Sequence, residues 1–343
     1  MAVSCFAAVL PKRSVVIGYA LFVFFICGCD VPLQPLHFPQ DHGPHLDARN
    51  EWWYFTGTAL TADGEILGFE VTLFKRLVSQ RKGIAGVGHV AVSIPQTHEH
   101  LYSETVTSAP VTGISEGVAE VTLTNFQFRF SEPGMITVTG SGALCAVDLV
   151  LTALTEPVLH GTDGIIAMGD GMPSAYYSFP NLAMSGTISV REKTYTIVTG
   201  RSWMDHQWGN FTFAGMRWDW FSLRFDDGGA LMLFRFRQAF DMASQTLWTV
   251  MTADGEVIHG EKAEVASARV YVNDNQTCAY PLDWTITVPD IDGFFSVQPL
   301  FDAQALYSDV TPDYWEGLCV VSGRMGGSEV SGFAYTELTG YCK

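Results

Sequence analysis

The chain has 343 residues, room for about two domains at roughly 150 residues each. Nearly half of them are hydrophobic and 13% are aromatic, enough for a large core, which excludes disorder as the main state. The formal net charge is −17, and an anionic surface repels phosphate backbones, so no nucleic-acid partner is expected.

The N-terminus opens with Lys12 and Arg13, followed by an uncharged, mostly apolar run from Ser14 to Ile26. A bilayer core needs roughly 20 helical residues, so the run is short for a span and reads as a signal peptide over 1–28. It ends in Ile26-Cys27-Gly28-Cys29, which resembles the bacterial lipobox. Cys29 would then be the lipidated first residue of an exported, membrane-anchored protein of the periplasm or cell envelope. An ordinary signal peptide or an uncleaved anchor is the alternative. Cleavage would leave 17 basic against 36 acidic residues, net −19, so the lipid and not surface charge would hold the protein on a membrane. Residues 29–46, rich in proline and histidine with little apolar pattern, are expected to be a tether.

From there on the chain reads as strands. Val121–Phe130, Trp220–Phe225, Arg269–Val272 and Asp283–Val288 alternate apolar and polar residues, the period of a strand with one buried face. Asp-Gly pairs at Asp63, Asp163, Asp170, Asp227, Asp254 and Asp292 mark tight turns between such runs. Short strands joined by hairpins predict an all-β sandwich or barrel. An internal echo is also present. Glu51-Trp-Trp-Tyr-Phe55, the turn at Asp63 and a return run ending at Lys75 match Trp218-Asp-Trp-Phe221, the turn at Asp227 and a run ending at Arg235. The echo predicts two related domains, 47–210 and 211–343.

Beside Cys29, four cysteines would remain after cleavage: Cys145, Cys278, Cys319 and Cys342. Three pairings are possible, and a bridge within the C-terminal half is favoured over one across the chain. Buried free thiols are the alternative.

The densest chemical constellation is Gly200-Arg-Ser-Trp-Met-Asp-His-Gln-Trp-Gly209. In a strand, Trp203, Asp205 and Gln207 point one way and Met204, His206 and Trp208 the other. Asp205 is therefore either an acid in an apolar cavity or part of a buried structural network. Tyr176 and Tyr177 add hydroxyls on an aromatic strand. Trp52, Trp53 and Tyr54 read by default as plugs sealing a barrel. No metal is expected: the nine histidines are scattered, His42 and His45 among them look like loop residues, and no zinc motif is present. Gly113-Ile-Ser-Glu-Gly117 has the spacing of a nucleophile elbow, but that elbow must lead into a helix and Val118 begins a strand pattern.

Several of these motifs together resemble the AttH/CrtC family, which includes carotenoid 1,2-hydratase and exported proteins labelled secreted hydrolases. They are His45 with Glu51–Gly57, His89–Ser93, Tyr176–Ser178, Trp203–Trp208, Trp218–Ser222, Asp226–Gly228, Tyr314–Gly317 and Tyr335–Tyr341. The resemblance implies two consecutive lipocalin-like (calycin-type) β-barrel or sandwich domains. It also implies a chemistry, water addition to an isoprenoid double bond, with Asp205 as acid and His206 and Tyr176 as its helpers. No cofactor is implied. Tyr177, Trp203, Trp208, Trp218, Trp220 and Trp53 would then line the site of an apolar or lipid-like small molecule. Three functions compete: an envelope lipocalin that binds such a ligand, an enzyme of hydratase or hydrolase type, and a purely structural lipoprotein.

Overall fold

A computed structural model describes residues 33–342, apart from 80–82, 108–113, 116–117, 132–133, 169–170, 213–214, 238–243 and 275. The expected signal peptide 1–28 and Cys29 lie outside the described residues. The first half forms strands β1 (Asn50–Thr61), β2 (Ile66–Ser79), β3 (Gly83–Ile94), β4 (Glu99–Thr107), β5 (Ile114–Ser115), β6 (Val118–Leu123) and β7 (Phe126–Ser131). It continues with β8 (Met135–Ser141), β9 (Cys145–Ala153), β10 (Val158–Leu159), β11 (Ile165–Ala167), β12 (Pro173–Val190) and β13 (Lys193–Gly209). The second half forms β14 (Trp218–Phe225), β15 (Ala230–Phe236), β16 (Gln245–Met251), β17 (Val257–Gly260) and β18 (Glu264–Val272). It closes with β19 (Ala279–Val288), β20 (Gly293–Pro299), β21 (Ala305–Leu306), β22 (Tyr314–Met325) and β23 (Ser328–Thr339). Helix among the described residues amounts to two three-residue 3-10 turns, Gln40–His42 and Pro289–Ile291.

The strands make two consecutive antiparallel sheets. The first runs β4-β3-β2-β1-β13-β12-β9-β8-β7-β6-β5 and curls so that β3 and β4 approach β9 across its interior. The second runs β17-β16-β15-β14-β23-β22-β20-β19-β18. The fold is all-β, with two lipocalin-like domains. The internal echo has a structural counterpart. The opening strand of each sheet, β1 or β14, pairs with its hairpin partner on one side and with the last long strand of its sheet on the other. Both hairpins turn at an Asp-Gly pair whose glycine has positive φ, +81° at Gly64 and +95° at Gly228, a region open to glycine without a Cβ clash.

Three apolar layers result. Trp53, Phe55, Phe69, Phe128 and Met204 fill the first curl; Phe221, Trp248, Trp284 and Trp315 fill the second. Between the two sheets lies a third layer built from Tyr54, Tyr176, Trp203, Trp220, Met232, Phe234, Leu318 and Tyr335. This layer explains why β14 is buried on both faces rather than on one as its alternation suggested. Phe221 and Leu223 face the second curl, whereas Trp220 belongs to the middle layer.

Three expectations are corrected, and the cysteine readings are resolved. The run Val121–Phe130 is a hairpin rather than a single strand. Val121 and Leu123 are buried on β6, and Phe126, Phe128 and Phe130 on β7, so the alternation changes phase across Thr124, whose φ is +52°. Arg269–Val272 lies on the sheet-edge strand β18, where Val270 and Val272 are exposed. The expected tether is docked where it is described: Leu33, Leu36 and Phe38 pack on the first core, and His42 stacks on Phe130 at 4.5 Å. Cys278 and Cys342 are bonded, while Cys145 and Cys319 are buried free thiols, so the bridge and the thiol readings each hold for one pair. Ser115 lies on β5, which pairs with β6, and no helix follows it as an elbow would need.

Candidate functional site

Strand β13 divides the sequence candidates into two groups. Its side chains alternate, so Trp203 and Asp205 enter the layer between the domains, and Met204, His206 and Trp208 enter the first curl. The neighbouring strand β12 is aligned with it, Ser178 opposite Asp205 and Tyr177 opposite His206.

On the curl side, Glu51, Lys75, His45 and His206 form a buried network at one end of the first domain. Glu51 Oε1 lies 2.8 Å from His45 Nδ1 and 3.0 Å from His206 Nε2. Lys75 Nζ lies 3.1 Å from Glu51 Oε2 and also donates to the carbonyls of His45 and Ala48. Burial would raise the Glu51 pKa, but hydrogen bonds and charge from the two histidines hold it at about 2. His45 is raised to about 9 against its burial by hydrogen bonds to Asp41 and Glu51. His206 is pushed down to about 4, chiefly by burial. Trp53 stacks on His206 at 4.6 Å, Trp208 stacks on His45 at 3.9 Å, and Tyr177 Oη lies 2.8 Å from His42 Nδ1. His206 is thus separated from Asp205 and is not its helper. Trp53, Trp208 and Tyr177 likewise serve this network rather than a ligand wall. Although the sequence carries no metal motif, the ligand atoms of His45, Glu51 and His206 come within 4.8 Å of one another. The Lys75 ammonium and the raised His45 both face this carboxylate.

On the other side, Asp205 is 4% exposed and borders a cavity of about 570 Å³ between the two domains. Its walls come from both sheets and include Trp52, Tyr54, Phe74, Tyr176, Trp218, Trp220, Phe234, Tyr314 and Glu337, and Glu51 and Lys75 of the buried network also border it. Asp205 Oδ2 accepts from Tyr176 Oη at 2.6 Å; Oδ1 accepts from Trp203 Nε1 at 2.5 Å and from Ser178 Oγ. Among the described residues no salt bridge reaches it, so neither Arg201 nor Arg217 neutralises the carboxyl. Burial pushes its pKa up to about 7, against the downward pull of those three hydrogen bonds. Near neutral pH both the acid and the carboxylate are therefore populated.

Trp220 Nε1 donates to Tyr176 Oη at 3.0 Å, which fixes the hydroxyl that holds Asp205. Directly across the strand pair from Trp220 is Glu337, which accepts from Trp218 Nε1 at 2.8 Å and from Thr339 Oγ1 at 3.1 Å. Burial raises Glu337 to about 7, so the cavity has a second carboxyl poised near neutrality on its opposite wall. Two further buried carboxyls belong to the same layer: burial raises Glu70 to about 8 and pushes Glu316, which accepts from Tyr54 Oη at 2.6 Å, well up. Of the sequence candidates, Asp205, Tyr176, Trp218 and Trp220 meet at this cavity, and Trp203 supports Asp205 from behind. Glu337 and Tyr54 were missed as site residues. Their sequence signals were the runs Tyr335–Tyr341 and Glu51–Gly57, which hold no hint of the facing wall. A second cavity, of about 650 Å³, opens beside Phe38, His42, Phe130, Glu156 and Phe179, and none of the sequence candidates for the acid borders it.

Comparison with known proteins bears on this arrangement. The family model described as AttH-like matches residues 30–341. The dehydratase AsqC of Emericella nidulans is 24% identical over 233 residues, which is 65% of this chain and 63% of that protein, so the chain matches somewhat less than two thirds of its length. The crystal structure of a protein assigned as AttH from Nitrosomonas europaea superposes with a TM-score of 0.80 at 28% identity, covering 91% of this chain and 99% of that one. Kievitone hydratase from Nectria haematococca superposes with a TM-score of 0.76 at 19% identity, covering 90% and 94%, a likeness of fold alone. With both sheets inside the span matched by one family model, the chain belongs to the AttH-like family.

Proposed function

We propose that this protein is a hydratase- or dehydratase-type enzyme acting on an apolar or amphipathic, isoprenoid-like molecule in the interdomain cavity, with Asp205 as proton donor. The observation that carries the reading is a fully buried carboxyl held near neutral pKa at the wall of an aromatic cavity. In the hydration direction Asp205 gives its proton to one alkene carbon. The cation left on the other carbon faces the indoles of Trp218 and Trp220, whose π faces favour positive charge. Water adds to that carbon and its surplus proton passes to the Glu337 carboxylate; the reverse sequence is dehydration. Tyr176 orients Asp205 through its hydroxyl. The AttH-like membership, and a relative named as a dehydratase, support this chemistry. The test is incubation with a panel of prenylated alkenes and their tertiary alcohols in ¹⁸O-labelled water. Label should appear in the alcohol with wild type. No incorporation across the panel, together with unaltered co-purified lipid in Asp205→Asn, would remove both catalysis and ligand binding from this cavity. If the lipid changes but no substrate turns over, the cavity is a binding site only.

We further propose, from the lipobox-like run ending at Cys29, that a lipid on this cysteine holds the protein on a membrane. The wild type should partition into detergent and carry a diacylglyceryl mass, whereas Cys29→Ala should accumulate as unprocessed precursor. Intact-mass measurement of a mature protein starting elsewhere without lipid would overturn the anchor.

A further inference from the structure

From Asp205 a chain of polar groups, none of which lines the cavity, crosses from the first domain into the second. Ser178 Oγ donates to Asp205 Oδ1. His160 Nε2 lies 2.6 Å from Ser178 Oγ, and His160 Nδ1 lies 3.0 Å from Thr249 Oγ1. Thr249 is paired with His259 across β16 and β17, and its Oγ1 lies 3.1 Å from His259 Nδ1. Ser178, His160 and Thr249 are buried, whereas His259 is exposed. His160 is fixed from two further sides: its backbone N–H donates to Tyr176 O at 3.1 Å, and its ring packs 4.1 Å from the Tyr176 ring.

We propose that Ser178, His160, Thr249 and His259 form a proton relay that exchanges the proton of Asp205 with solvent. The proposal rests on the reading of Asp205 as the acid. One orientation of hydrogens satisfies every link. His259 Nδ1–H donates to Thr249, Thr249 O–H to His160 Nδ1, His160 Nε2–H to Ser178, and Ser178 O–H to the carboxylate. Protonation moves one proton along each link: solvent supplies His259 Nε2, each group passes on the hydrogen it was donating, and Asp205 becomes the neutral acid. Deprotonation runs the same links backwards. No other species is consumed. The relay needs His160 to be neutral so that Nδ1 can accept, and burial drives its pKa well below the usual histidine value. A bound apolar molecule would close the cavity side of Asp205 to water, and the relay reaches the carboxyl through Ser178, which does not line the cavity. The titratable groups around the carboxyl are Tyr176 on β12, His160 after β10, and Glu316 and Glu337 on the facing sheet; of the relay's own groups, only His259 meets bulk solvent.

The experiment is a rapid pH drop from about 9 to about 5, spanning the Asp205 titration. Time-resolved infrared absorption follows the protonated-carboxyl band that is missing in Asp205→Asn. His259→Gln, at an exposed position, and Thr249→Val, close in shape to the native residue, should each slow growth of that band at least about tenfold with the same final amplitude. Thr249→Ser, which keeps the hydroxyl, should stay within about twofold of wild type, and added imidazole should restore much of the rate in His259→Gln. A merely structural bridge between the domains would lower thermal stability in Thr249→Val and leave the rate unchanged. Unchanged rates in His259→Gln and Thr249→Val overturn the relay. That outcome is distinct from failure of the acid assignment, in which Asp205→Asn would keep full turnover whatever the infrared rates.

Discussion

Asp205→Asn should lower turnover by roughly 10²–10⁴-fold, the contribution typical of a positioned acid, while leaving the fold as stable as the wild type or more so. The two halves of this expectation share one cause. Burial raises the Asp205 pKa from 3.8 to about 7, so the folded protein prefers the protonated carboxyl. The stability this group contributes is fully present below about pH 3.8 and is lost as pH rises through about 7. Above pH 7 the fold carries a buried carboxylate at a cost of up to roughly 4 kcal/mol, because each tenfold gain in proton affinity on folding corresponds to about 1.4 kcal/mol. Asparagine is neutral at every pH and nearly isosteric, so it removes that cost along with the transferable proton. Thermal unfolding of the pair as a function of pH should therefore show no gap below about pH 4 and a gap in favour of asparagine above about pH 7. The turnover of the wild type should decline on the alkaline side of about pH 7, as the acid loses its proton. Loss of about 2–4 kcal/mol in Asp205→Asn at neutral pH, with turnover intact, would instead make the residue part of a structural network.

Glu51→Gln should do the opposite: destabilise by about 3–5 kcal/mol, with a loss of per-molecule turnover in the folded protein far smaller than that of Asp205→Asn. The Lys75 ammonium is buried, and Glu51 is the carboxylate that neutralises it. A glutamine leaves that charge with only the carbonyls of His45 and Ala48, and it weakens the acceptor shared by His45 and His206. Glu51, lowered to about 2, contributes stability that is present above pH 4.5 and lost as pH falls through about 2. His45, raised to about 9, contributes stability that is present below pH 6.5 and lost as pH rises through about 9. The difference between wild type and Glu51→Gln should accordingly be greatest between about pH 4.5 and 6.5 by denaturant titration. Adding Lys75→Met should recover much of the loss, since removing both charges avoids burying one alone. Equal stability of Glu51→Gln and wild type would show that the network is not what ties the docked segment 33–49 to the first domain.

The contrast between these variants also measures what could be read without the fold. Local pattern determined the class of structure. Period-two alternation is a property of the strand itself, and Asp-Gly turns depend only on local backbone freedom, so an all-β chain with two echoing hairpins was legible. The alternation even separated Asp205 from His206, because adjacent strand residues must face opposite ways. What alternation lacks is the identity of each face's partner. Trp52 and Trp53 look alike as neighbouring indoles, yet one lines the interdomain cavity and the other stacks on His206, and only the curling of the sheet assigns them. Residues 33–46 have no periodicity because they make no ladder of their own; they are held by apolar and aromatic contacts to a surface formed by strands far along the chain, such as Phe130 on β7 and Tyr177 on β12. Glu337 and His160 stayed invisible as site residues for a related reason. Their chemistry comes from burial beside Asp205, and that burial exists only after two domains, each with its own core, have packed together. Sequence supplied the carboxyl; the interface between the domains supplied its desolvation and the second carboxyl that faces it.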